Sequence, residues 1–105
     1  MQRDYSIIKE ENHTGIPGEK QIFIVFTDGK RYVVMQKLTG ERGFTKCTAT
    51  EELLERIFNS HHSFDQPVPT EAIPLLEEVF ENGRRLKSLT KQIYEIITES
   101  QEEEY

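Results

Sequence analysis

The chain is short of the features that mark most functional classes. Its 105 residues hold a single cysteine, Cys47, so no internal disulfide can form and a disulfide scaffold is excluded. The longest wholly apolar run, Ile22 to Phe26, is far below the roughly 20 residues that span a bilayer. The opening Met-Gln-Arg-Asp leads into no apolar segment of the secretory-signal type, so the expected location is cytoplasmic. No C-x-x-C or H-x-x-x-H spacing is present, and Gly40-Glu-Arg-Gly43 lacks the trailing Lys-Ser/Thr of a phosphate loop. We find no internal repeat. The length fits one domain rather than a multidomain enzyme.

What is present suffices for one modest core: 35% hydrophobic and 10% aromatic residues beside 30% charged. The formal net charge of -6 is unevenly placed, with residues 1–50 at +2 and 51–105 at -8. Two halves of different composition point to two kinds of structural layer.

In the first half, Gln21 to Thr27 and Lys30 to Leu38 flank Asp28-Gly29. Asp-Gly between two β-rich runs predicts a hairpin with a two-residue type I′ turn, in which Thr27 faces Lys30. That register places Ile22, Ile24, Phe26, Arg31, Val33 and Met35 on one face. Phe23, Val25, Thr27, Lys30, Tyr32 and Val34 fall on the other. Both faces are apolar away from the turn, so both ask for cover. Tyr5 to Lys9 reads as a further strand, residues 10–19 as a Gly/Pro-containing loop, and Phe44 to Thr48 as a short last strand. The expected unit is an antiparallel meander of three or four strands.

From Thr50 the apolar period changes from two to 3.6. Thr50 is placed to cap a helix whose stripe is Leu53, Leu54, Ile57 and Phe58. Asn59 to Ser63 ends it, and Phe64 to Pro69 reads as a connection. Thr70 caps a second helix, or the helix begins at Pro74, with Ala72, Ile73, Leu76, Val79 and Phe80 facing inward and Asn82-Gly83 ending it. A third runs from about Arg84 to Thr98, carrying Leu86, Leu89, Ile93, Ile96 and Ile97. The expectation is an α+β domain over 1–98 with three amphipathic helices packed on the sheet, and an acidic, frayed tail at 99–105.

No residue set converges on chemistry. His61-His62 has no third and fourth ligand at a zinc spacing, and Cys47 has no local nucleophile signature. Paired glutamates such as Glu51-Glu52 and Glu77-Glu78 read as solvated helix faces. No metal, no cofactor and no enzymatic activity are therefore expected. The surplus of apolar faces points instead to a protein-protein interaction or regulatory module, expected to be a homodimer. Its candidate interface is Phe23, Val25, Tyr32 and Val34 on the sheet, or Tyr94 and Ile97 on the last helix. The alternative is a nucleic-acid-binding regulator using Lys30, Arg31, Lys37, Arg42 and Lys46 beside Tyr32 and Phe44. The pI near 5.1 weighs against it, and strand lysines also discourage edge-to-edge pairing without any ligand.

Overall fold

The computed structural model describes residues 4–102. It is an α+β fold built on a wholly antiparallel sheet of five strands, one more than the upper expectation, in the order β4-β3-β2-β1-β5. β1 (Ser6–His13), β2 (Lys20–Thr27), β3 (Tyr32–Leu38) and β4 (Thr45–Cys47) form the expected meander. The chain then makes α1 (Glu51–Phe58) and returns at the far edge of the sheet as β5 (Ser63–Gln66), paired with β1. α2 (Ile73–Glu81) and α3 (Leu86–Glu102) complete the order.

β5 corrects the reading of 64–69 as a plain connection. Its four residues have no apolar alternation, and as an edge strand it needs little burial: Phe64 and Asp65 are both exposed. β1 corrects the loop read at 10–19, since its pairing with β2 runs on to His13↔Lys20. Backbone pairing along a two-stranded ladder supports polar residues that composition alone assigns to a loop.

The helices cover both faces of the sheet. Ile7, Ile24, Phe26 and Met35 pack under α2 and α3 against Leu76, Val79, Phe80, Leu89, Ile93 and Ile97. Phe23, Val25 and Val34 pack on the opposite face under Ile57, with Leu53, Leu54 and Ile8 at the margins. The face expected to remain open for a second copy is thus occupied by α1. Ile57 has no accessible surface, a burial worth roughly 1.5–3 kcal/mol for a side chain of that size.

Helix ends follow local chemistry. The Thr50 hydroxyl accepts from the Leu53 amide at 3.1 Å, capping α1 as expected. Thr70 caps nothing; a single 3-10 turn over Thr70–Ala72 precedes α2, which carries Pro74 in its first turn. At the other end Gly83 has φ +64° and its amide reaches the Glu78 carbonyl, a left-handed stop that a side chain would strain. α3 continues past the expected Thr98 to Glu102, so the proposed frayed tail is helical that far, and 103–105 lie outside the described residues. Within α3 the buried stripe is Leu89, Ile93 and Ile97 at a four-residue spacing, with Thr90 also enclosed. The Thr90 hydroxyl donates to the Leu86 carbonyl, which satisfies it inside the core.

The hairpin turn departs from the expected type. Thr27 faces Tyr32, not Lys30, so four residues form the loop. Only Gly29 has positive φ, at +95°, which rules out a type I′ turn. The Asp28 carboxylate takes over instead, accepting from the amides of Lys30 (3.0 Å) and Arg31 (2.8 Å) and from the Arg31 guanidinium (2.8 and 3.1 Å). The Arg31 amide first, then its guanidinium and the Lys30 amide, hold the Asp28 carboxyl well below the usual carboxylate range.

A folded-state pKa below the unfolded one contributes stability above the unfolded value and loses it as pH falls. Asp28→Asn should therefore lower the melting temperature at neutral pH. The gap to the parent protein should persist down to about pH 4, the unfolded carboxylate value, and narrow below it. Thermal melts across pH 2–8 read this directly; a gap that does not change with pH would assign the turn's stability to other contacts.

Candidate functional site

The structure separates the interface candidates. Phe23, Val25, Val34 and Ile97 are core residues, closed off by α1 on one side and by α2 and α3 on the other. Tyr94 is half-buried, tilted against Phe44 at 5.3 Å between centroids, with the Lys9 ammonium 5.9 Å from its ring. Burial first, and the Glu11 charge second, push the Tyr94 phenol up from its ordinary value. Tyr32 alone among the six stays at the surface, 41% exposed.

Tyr32 does not stand alone. Phe58, the last residue of α1, lies beside it with ring centroids 6.0 Å apart and planes at 57°, and it is 43% exposed. A tilted pair at this spacing is a favourable aromatic geometry. The sequence stripe placed Phe58 inward with Ile57, but consecutive residues on a helix point about 100° apart. Ile57 takes the core, and Phe58 swings to the margin over the start of β3. Together with Leu54 and Asn59, and with Glu51 and Glu55 from the outer side of α1, the two rings line a hollow of about 460 Å³. On the other side of Tyr32, Lys46 and the segment Cys47–Ala49 line a separate hollow of about 400 Å³. Burial pushes the Cys47 thiol up, so at neutral pH it packs as a small apolar group rather than a thiolate.

The basic set does not converge. Arg31 is held by Asp28, donates to the Phe80 carbonyl at 2.8 Å and stacks 5.2 Å over the Phe80 ring, tying the turn to the end of α2. Lys30 shares that end of the sheet, whereas Arg42 follows β3 at the opposite end, roughly 20 Å away along a seven-residue strand. Lys37 is half-buried and Lys46 lies on the edge strand.

A larger open cleft of about 560 Å³ lies along β1 and β5, lined among others by Lys9, Glu11, His13, Lys20, His62 and Phe64. Phe64 is 62% exposed there. Lys9 and Glu11 pair within the cleft at 3.4 Å. His61 and His62 sit in the turn before β5 rather than at a helix end. Among the described residues no three His, Cys, Asp or Glu side chains gather into a group able to hold a metal, and no helix is long and apolar enough to cross a membrane.

The architecture defined by these elements is a five-stranded antiparallel sheet with one short helix on one face and a helical pair on the other. No family model, curated protein or solved structure matches the chain.

The reading from sequence missed Phe58, Glu51 and Glu55 as members of one site with Tyr32. The available signal was the i, i+4, i+7 spacing of 51, 55 and 58, which sets them on one flank of α1. If that flank is surface, Tyr32→Ser and Phe58→Ser should each cost about 1 kcal/mol or less. Ile57→Ala, one residue away in the core, should cost about 2–5 kcal/mol. Urea unfolding of the three variants compares them; a Phe58→Ser cost equal to that of Ile57→Ala would make the ring pair part of the core.

Proposed function

We propose that this chain is a non-enzymatic protein-protein interaction module that docks its partner on the Tyr32–Phe58 patch. One observation carries this reading: two large aromatic side chains, held together by different elements, keep about two-fifths of their surface in solvent. Tyrosine and phenylalanine are enriched in the cores of protein interfaces, where rigid rings bring large contact area at little entropic cost. Their neighbours suit such a role. The sheet below is packed, which backs the two rings with a filled core, and the hollow between them has room for a partner's side chain. A nucleic-acid reading has less support, because its cations are divided between two ends of the sheet and Arg31 is already occupied.

The test places a photo-cross-linking phenylalanine analogue at position 58 in the full chain and, as control, at exposed Lys91 on α3. Irradiation in the producing cells should give a discrete covalent adduct from position 58 and none from position 91. Equal adducts at both positions, or none at 58, would overturn the docking reading.

A further inference from the structure

Three rings of this protein carry a cation of the same chain. Phe80 carries the Arg31 guanidinium at 5.2 Å, Phe23 carries that of Arg56 at 5.1 Å, and Tyr94 carries the Lys9 ammonium at 5.9 Å. Each of these rings is satisfied by a cation of the same chain. The Tyr32–Phe58 pair, more exposed than any of them, has none within stacking distance among the described residues. Arg31, its sequence neighbour, is turned away to Asp28 and Phe80. The α1 side of the hollow instead holds two carboxylates, Glu51 and Glu55, and no base. Neither has an ion-pair partner among the described residues. Like charges four residues apart on a helix repel, so the arrangement is held at a small cost that an arriving cation removes.

Resting on the docking reading above, we propose that the occupant of this patch is a basic segment of a foreign polypeptide. One of its arginine or lysine side chains lies on the Tyr32–Phe58 rings with its charge against Glu51 and Glu55. Aromatic faces attract cations, guanidinium above all, and the flanking carboxylates add the charge-assisted hydrogen bonds that fix its position. A second copy of this chain is the poorer occupant, because at a net charge of -6 it brings acid to an acidic rim.

Three synthetic octapeptides of alternating residues test this: Arg-Leu, Gln-Leu and Glu-Leu, each titrated into the 15N-labelled full chain at 0.1 M salt. The Arg-Leu peptide should shift the amides of Tyr32 and of 51–59 saturably, and the other two should leave them unmoved. The Glu51→Gln/Glu55→Gln variant should bind it about five-fold more weakly or worse, as should the parent protein at 0.5 M salt, where exposed charges are screened. Tyr32→Ala should abolish the shifts. If the Gln-Leu peptide binds there as well as the Arg-Leu peptide, the charge preference is wrong while docking on the patch stands. Shifts confined to other residues, or no shifts at all, also overturn the basic-partner proposal; the cross-link at position 58 then decides the docking reading by itself.

Discussion

The fold turns on a carboxylate with no access to water. Glu10 is fully buried in the middle of β1, on the sheet face under α1. Its two oxygens receive the Arg56 guanidinium at 3.0 and 3.3 Å, and that same guanidinium lies over Phe23. An unpaired charge at such a site would be costly, so the pair favours the rotation and position of α1 that bring Arg56 to Glu10. The need for α1 there is topological. β4 and β5 are the two edges of a five-stranded sheet, so the chain between Cys47 and Ser63 must travel about four strand spacings, roughly 19 Å. α1 makes most of that crossing, and the Ser63 hydroxyl bonds to the Ile57 carbonyl as β5 begins. In crossing, it lays Ile57 on Phe23, Val25 and Val34 and turns an open apolar face into a second core.

The candidate site follows from the same crossing. Eight helical residues extend only about 12 Å, too little to roof the whole face. The first residue of β3 and the last of α1 are left at the margin, which is why Tyr32 and Phe58 meet in solvent. Moving α1 across the sheet would either bury Phe58 or separate the rings. The pairing of Glu10 with Arg56 therefore sets the platform as well as the core.

Much of the fold was legible because it rests on local signals. The faces of the β2–β3 hairpin agree with the sequence pattern although its turn does not. The true register differs from the expected one by two residues, and only an odd shift moves side chains to the opposite face. The Thr50 cap and the change of period at that point marked α1 for equally local reasons. What escaped were features fixed by distant partners. β5 is a strand only because β1, more than fifty residues earlier, offers it a free edge. Glu10 reads as loop or surface until Arg56 is brought over it. The burial of Phe23, Val25 and Val34 under Leu53, Leu54 and Ile57 depends on which face that short helix chooses, and an amphipathic stripe does not say. Tyr32 is at the surface, but its partner Phe58 reads inward from the sequence because a stripe of four apolar residues is wider than the contact one helix can make.

The most direct measurement is a double-mutant cycle across the buried pair, read by urea unfolding. Arg56→Met alone should cost about 2–4 kcal/mol, somewhat under the value for a fully enclosed pair because the guanidinium is half-exposed, and adding Glu10→Leu should restore most of that loss. Losses that simply add, with the double variant least stable of all, would contradict the account and place the anchor of α1 elsewhere.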